Sequence, residues 1–417
     1  MSETPAGALV IGGEHPGLAI ARSLGRRGIP VFVVDDLYSI AKFSRYTSRV
    51  VRVPDLRDDH RTVESLLEIG KRYGLRNWVL FPTRDETVAA ISRHRDRLAE
   101  FYRVTTPSWD SIRWLWNKKN TYDRAAELGI PIPRTFNPLT ESELEDLYPH
   151  LPLAVKPAVK ENFFYATGAK AWRAETPEQL RDLYRKAALQ ISAEEILIQE
   201  IIPGDGQCQY SYCAFFRDGQ AHSTLLARRI RQHPREFGRA ATYVETINHP
   251  EIEELSLRFL KTIDYYGLVE VEFKQDPRDG QYKLLDINAR AWGFHSLGRP
   301  AGVDFPYILF ADQLGKSVDR CKATPGVGWL RALTDVPTVV SDLWDRELDL
   351  RSYWRSLRRT RTESVFCLRD PLPFFAEFAM LPYLLAKKCF VKSERKLEPH
   401  AADVAEGDRL SATESVE

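Results

Sequence analysis

Two short stretches in the middle of the chain bring together residue types suited to phosphoryl chemistry. The segments GLVEVEFK at 267–274 and YKLLDINAR at 282–290 flank a turn-like run, Gln275–Asp276–Pro277–Arg278–Asp279–Gly280. Alternation with a period of two puts Glu270, Glu272 and Lys274 on one face of the first strand, with Val269, Val271 and Phe273 opposite. It puts Asp286, Asn288 and Arg290 on one face of the second. A hairpin of the two gathers Glu272, Asp286 and Asn288 beside two cations. Carboxylate and amide oxygens are hard donors of the kind magnesium takes, and magnesium accompanies a nucleoside triphosphate. Neighbouring cations could hold a transferred phosphoryl group. The same pattern also describes a hairpin with a solvated charged face, and these strands alone leave both readings open.

Other polar groups precede the hairpin. Lys118 and Lys119 lead into an expected helix over 120–128 that stops at Gly129; one of them could meet phosphate, or both could sit on the surface. Lys156 closes the strand LAVK before Pro157, and Lys170 follows Thr167–Gly168. Two lysines bracketing a mobile turn could cover a triphosphate from different sides, although no Walker A motif is present. The segment EILIQEIIPGDG at 195–206, with Gln199, Glu200 and Ile202 before the Pro203–Gly204 turn, has both an apolar slot for a base and polar groups at its edge. It reads equally as a strand feeding a surface hairpin, with Asp205 serving the turn. Arg228, Arg229 and Arg231 could grip an acyl phosphate or a carboxylate, or form a solvated ladder.

The elements that must position these groups are legible in outline. ALVIGG at 8–13, the helix-like stretch 15–28 and IPVFVVDD at 29–36 read as strand, helix and strand of a parallel α/β unit. WVLFPTRDE at 78–86 reads as a later strand with polar residues at its carboxyl end. Gly12, Gly13 and Gly17 fall short of the G-x-G-x-x-G fingerprint, so a wall of a substrate cleft is favoured over a nicotinamide site with Asp35 near the end of the second strand. Thr83, Arg84, Asp85 and Glu86 read as turn and cap residues or as cleft residues. Pro131 and Pro133 mark a junction. His295 is as readily a structural histidine as a base. The run 370–392 is apolar and then basic. Domain packing is favoured for it over a dimer contact or a peripheral membrane helix. The polar end, 397–417, is expected to be a disordered tail.

With 417 residues, 43% of them hydrophobic, two or three domains are expected. A formal net charge of +1 gives no reason to expect nucleic acid. The five cysteines are too sparse for a disulfide scaffold. The N-terminus has no secretory pattern and no run reaches membrane length, so the expected compartment is the cytoplasm.

The ordered set NKKNTY, AVKP, LIQEIIPG, LVEVEF and LLDINAR resembles the ATP-grasp carboxylate–amine ligases, including relatives of D-aspartate ligases and peptide ligases. The resemblance covers roughly residues 1–320. It implies an α/β fold: an N-terminal pre-ATP-grasp Rossmann-like domain over 1–107, then an ATP-grasp fold of two α+β subdomains over 108–327. A C-terminal extension over 328–396 and the tail follow. It implies ATP and one or two magnesium ions, with manganese as a substitute. Lys118, Lys156 and Lys170 would meet phosphate, Gln199, Glu200 and Ile202 would hold the adenine, and Asp205 or Gln207 the ribose. Glu272, Asp286 and Asn288 would be the metal ligands. Arg290, with Lys156, Arg228 and Arg229, would act at the transferred group. Many family members carry glutamate where Asp286 stands, and YATGAK replaces the usual glycine-rich loop. The implied reaction joins a small carboxylate to an amine through an acyl phosphate. A carboxylase-type transfer with a separate partner and a noncatalytic ATP sensor are the alternatives. A homodimer is compatible with the resemblance.

Overall fold

Strands and helices alternate at the start of the chain: β1 (Ala8–Ile11), α1 (His15–Gly25), β2 (Val31–Asp35), β3 (Arg49–Arg52), α2 (Asp59–Tyr73), β4 (Trp78–Pro82), α3 (Asp85–Arg93), α4 (Arg95–Ala99) and β5 (Tyr102–Arg103). The structure is a computed structural model that describes residues 6–37, 39–204, 206–233 and 240–382. The five strands pair in parallel in the order β3-β2-β1-β4-β5. Chain order reverses between β1 and β4, and a crevice opens at the carboxyl ends of strands at such a point. Gly12–Gly13 and Thr83–Glu86 stand there. Gly12 has φ +99°, and a Cβ on it would come within 2.2 Å of Thr83 Oγ1. The Asp35 carboxylate accepts from Gly13 N at 2.6 Å and from Arg84 at 2.8 Å. The glycines thus serve close packing, and Asp35 ties the turn to Arg84.

The second layer comprises α5 (Trp109–Trp116), α6 (Lys118–Glu127), β6 (Thr135–Phe136), β7 (Leu153–Pro157), α7 (Lys160–Thr167), β8 (Trp172–Ala174), α8 (Pro177–Ala188) and β9 (Ile196–Glu200). Its strands form an antiparallel sheet in the order β6-β9-β7-β8. Asn117 starts α6 by accepting from Lys119 N, and Thr176 caps α8 by accepting from Gln179 N, with Pro177 in the first turn. The expected mobile turn between Lys156 and Lys170 is instead the helix α7, closed by Gly168 at φ +71°. Glycine in the left-handed region is a common helix stop.

The largest sheet is built from β10 (Gln209–Arg217), β11 (Gln220–His233), β12 (Ala240–Ile247), β13 (Gly267–Gln275), β14 (Tyr282–Asn288), β15 (Cys321–Lys322), β16 (Gly328–Leu330) and β17 (Thr360–Glu363). The path is β14-β13-β10-β11-β12-β16-β17, with β15 paired to β11. The helices of this part are α9 (Pro250–Leu260), α10 (Phe305–Gln313), α11 (Ala332–Trp344) and α12 (Leu350–Arg359). One face of the sheet buries Tyr212, Phe216, Val269, Val271 and Phe273 with Ile252 and Phe259 of α9. The other face buries Phe215 and Leu268 in a core that also holds Leu18 and Leu24 of α1, Trp292 and Phe305. Trp292 and Phe294 therefore belong to packing. β16 and β17 join residues beyond 327 to the sheet by backbone hydrogen bonds.

Residues 1–374 form one compact unit, and a second begins at Phe375; its described residues, 375–382, are helical. No helix among the described residues is long and apolar enough to cross a membrane. The expected tail at 397–417, Cys389 and residues 383–392 of the apolar-then-basic run lie outside the described residues.

Candidate functional site

The paired acidic strands form as the alternation predicts, and the register supplies what alternation could not. In the β13–β14 ladder Glu272 faces Asp286 and Glu270 faces Asn288. A bulge after Glu272 shifts the register, so Lys274 faces Lys283. Asn288 Nδ2 donates to Glu272 Oε1 at 2.9 Å and to Glu270 Oε2 at 3.0 Å. Glu270 also accepts from Ser211 Oγ at 2.9 Å. Burial, and then the Glu272 carboxylate, push the Glu270 acid up to about 8. Glu270 thus fixes the amide of Asn288 from beneath.

Each outer carboxylate has a cation beside it. Lys118 pairs with Asp286, and Arg229 Nη2 stands 3.2 Å from Glu272 Oε2. Glu272, Asp286 and the Asn288 amide are all hard oxygen donors, with carboxylates close enough to draw cations, and this chemistry fits magnesium. The described residues contain no cluster of three or more His, Cys, Asp or Glu suited to a metal, so the candidate set is two carboxylates with one amide.

Lys118, Arg229, Glu272 and Asp286 line a cleft of about 450 Å³ between the four-stranded sheet and the largest sheet, which also takes in Lys156, Lys170, Gln199, Glu200, Ile202 and Lys274. Lys156 Nζ donates to Gln199 Oε1 at 2.6 Å and to Tyr122 Oη at 2.7 Å; Tyr122 donates in turn to Leu285 O at 2.8 Å. Burial lowers the Lys156 amine below the ordinary lysine range, with Lys118 acting in the same direction and Tyr122 against it. Lys118 and Lys156 converge on the cleft from α6 and β7, because the Lys118 amide bonds the carbonyl of Ala158 just past β7.

Glu200 carries a network. It accepts from Arg134 N at 2.9 Å, from Lys283 at 3.1 Å and from Arg278 at 2.8 Å. Arg278 and Lys283 also hold Asp276, whose acid is depressed chiefly by the Arg278 hydrogen bond. The turn expected at 275–280 is thereby locked to the hinge strand β9. Lys274 donates to the carbonyls of Ile202 and Gly204 at 2.8 and 2.7 Å, so it braces the hinge and is not placed as a phosphoryl grip.

The arginine run divides by register. Gln209 faces Arg229, whereas Tyr210 faces both Arg228 and Phe273. Arg229 therefore shares the acidic face, and Arg228 lies on the opposite, core-side face. Its Nε donates to Gln207 O at 2.7 Å and its guanidinium lies over the Tyr210 ring. The expectation that Arg228 reaches the cleft is corrected on this ground. Gln207 is exposed and does not line the cleft, and Asp205 lies outside the described residues. Arg231 is buried in an ion pair with Asp335 at 2.8 Å.

Arg290 is held by a residue whose role the sequence left undecided. Its Nε and Nη2 reach Asp85 Oδ1 and Oδ2 at 2.6 and 2.9 Å, and Nη2 also donates to Asn288 Oδ1 at 3.1 Å. Burial disfavours the charge, but Asp85 more than offsets it and keeps the guanidinium protonated. Tyr122, Asp85 and Glu270 are the site residues that sequence reasoning did not assign. Glu270 carried a signal in its position on the acidic face, Asp85 in its place among the possible cleft residues after the strand at 78–86, and Tyr122 in the motif NKKNTY. His295 is buried, and burial pushes its imidazole down to about 4.

A family model described as ATP-grasp in the biosynthetic pathway with Ter operon matches residues 195–333. The D-aspartate ligase of Enterococcus faecium (strain Aus0004) is 27% identical over 264 residues, 59% of this chain. That match covers 62% of the ligase's own length, less than two thirds of it. Among solved structures, the L-amino acid ligase from Bacillus licheniformis superposes with a TM-score of 0.60 at 15% identity, covering 76% of each chain. The biotin carboxylase domain of the Hydrogenobacter thermophilus 2-oxoglutarate carboxylase gives 0.60 at 13% identity, covering 78% of this chain and 74% of that one. N5-carboxyaminoimidazole synthetase from Staphylococcus aureus gives 0.58 at 14% identity, covering 76% and 79%. The last three establish likeness of fold. With the sequence matches and the ordered motifs, they make this chain a member of the ATP-grasp superfamily that resembles its carboxylate–amine ligases.

Proposed function

We propose that the chain is an ATP-dependent ligase that joins a carboxylate to an amine through an acyl phosphate, releasing ADP and phosphate. The observation that carries this reading is the convergence of Lys118, Lys156 and Arg229 with Glu272 and Asp286 on one cleft, with Asn288 hydrogen-bonded to Glu272 beside it. ATP is a substrate. Its base would lie against Ile202 and the hinge strand, and its phosphates would run past Lys156 and Lys118. Lys170, at the rim, would cover them from the other side. Glu272, Asp286 and Asn288 would hold magnesium, which when bound offsets negative charge on the triphosphate.

In the first step a carboxylate oxygen of the acid attacks the γ-phosphorus, and the bond from that phosphorus to the β,γ-bridging oxygen breaks. Lys156 and Lys118 stabilise the charge that shifts toward ADP. In the second step the neutral amine attacks the acyl carbon, phosphate leaves with the bonding pair, and the amine loses a proton. Arg290, held by Asp85, and Arg229 would meet the acyl phosphate and the oxyanion of the tetrahedral intermediate. The fold alone is shared with carboxylating enzymes. The sequence match to a D-aspartate ligase favours amide formation, with an amino acid or short peptide as one substrate. The test is ADP release with paired carboxylates and amines, read together with the mass of the product.

A further inference from the structure

A second cavity, about 680 Å³, lies between one stripe of α1, the segment 295–306 and β17 with the loop that follows it to Arg369. It shares no lining residue with the nucleotide cleft. Ala19, Arg22, Ser23 and Arg26 face it from α1, the spacing of one helix face.

The walls carry Arg22, Arg26, Arg299, Arg361 and Arg369 against two carboxylates, Asp304 and Glu363. Both carboxylates are engaged. Asp304 accepts from Ser23 and Arg27, and Glu363 from the amides of Ala332, Val365 and Phe366. Arg22 is committed to Asp370 in a buried pair at 2.8 Å. Arg299, Arg361 and Arg369 make no side-chain hydrogen bond or ion pair among the described residues. Arg26 gives Nη2 to Cys367 Sγ, while its Nε is buried without a partner.

A second, independent feature points the same way. His295 lines this cavity and is 1% exposed. Its Nδ1 stands 2.9 Å from the Trp292 carbonyl, an acceptor only, so Nδ1 carries the hydrogen. The neutral ring then presents a lone pair at Nε2, which is buried and has no partner. A buried acceptor without a donor costs free energy until one arrives. The walls thus lack negative charge to meet the guanidinia and a hydroxyl to meet Nε2.

We propose that this cavity binds a small polyanion that also bears a hydroxyl, either a hydroxycarboxylate or the phosphate ester of a polyol, at a site separate from the nucleotide cleft. Planar guanidinia suit both kinds of oxyanion, and the hydroxyl donates to His295 Nε2.

Isothermal titration of the full chain with citrate, tricarballylate and ribose 5-phosphate tests this. Citrate and tricarballylate differ by one hydroxyl, and ribose 5-phosphate separates the ester from the carboxylate source. The expected result is that citrate or ribose 5-phosphate binds. Binding weakens at least about tenfold in the Arg299→Ala/Arg369→Ala variant and persists in Lys156→Met, whose lesion is in the other cleft. Citrate binds more tightly than tricarballylate if citrate is the source that binds. The proposal is overturned by absence of binding of both citrate and ribose 5-phosphate, by undiminished binding in the double arginine variant, by loss of binding in Lys156→Met, or, where citrate binds, by a citrate affinity no greater than that of tricarballylate.

Discussion

Asp85 and Arg290 form a two-point ion pair, 2.6 and 2.9 Å, between residues 205 positions apart. Asp85 opens α3 of the Rossmann-like layer, and Arg290 follows β14 of the largest sheet. The pair therefore joins the two layers beside Asn288 and sets the guanidinium before any substrate arrives. Removing one member of a buried pair leaves the other charge uncompensated, which costs about 3–5 kcal/mol. Side-chain exposures of 15% and 20% place this pair at the lower end of that range. Asp85→Ala is expected to destabilise the protein by about 3 kcal/mol in urea denaturation. It should also lower kcat, with Arg290→Ala lowering kcat more.

Lys156 sits at the end of a hydrogen-bonded chain through Tyr122 to the Leu285 carbonyl. Lys156→Met removes the proposed phosphate contact together with its charge. It should raise the KM for ATP by at least about tenfold, since hydrogen bonds to charged groups contribute about 1.5–3 kcal/mol. Tyr122→Phe deletes one neutral hydrogen-bonding hydroxyl and should raise it no more than about fivefold. Steady-state kinetics at saturating co-substrates reads both.

Register separates the neighbours Arg228 and Arg229. Arg229→Ala should lower kcat by about 10²-fold, the order seen when one charge-stabilising donor is lost. Arg228→Ala should leave kcat/KM within about twofold, because its side chain lies over Tyr210 on the other face. Equal losses in the two variants would contradict the placement.

His295 makes a pH prediction. Its neighbours are the Trp292 carbonyl, Asp304, His15 and the cavity arginines, and burial dominates them in lowering its imidazole from 6.5 to about 4. The folded state therefore disfavours the protonated ring. The contribution of neutral His295 is complete above pH 6.5 and is lost as pH falls toward 4, by up to about 3 kcal/mol. Relative to His295→Asn, the wild type should lose stability more steeply over that window. Parallel curves would refute the assignment.

Periodicity carried a good part of the site. Alternation alone put Glu270, Glu272, Asp286 and Asn288 on facing surfaces, because side-chain direction in a strand is a local property. Pairing register is not local, so the bulge after Glu272, the brace from Lys274 to the hinge and the split between Arg228 and Arg229 were beyond reach. Asp85 looked like a helix-start residue, which it also is, and nothing near it in sequence announced Arg290. The segment between Lys156 and Lys170 read as a turn because Thr167–Gly168 dominates its pattern. In the structure that glycine ends a helix. The parallel order of the first sheet followed from strand–helix–strand alternation, while the attachment of β16 and β17 to the largest sheet depends on contacts no local pattern encodes.

The central claim is amide formation driven by ATP, and the most direct measurement is ADP release with magnesium and ATP across a matrix of carboxylates and amines, with mass spectrometry of the products. Wild type and Asp286→Ala are compared. ADP release that depends on both an acid and an amine, with a product of their summed mass less one water, and loss of both signals in the variant, is the predicted result. ATP binding without turnover across a broad matrix that includes amino acids and short peptides, or a product carrying carbon dioxide in place of an amide, would contradict it.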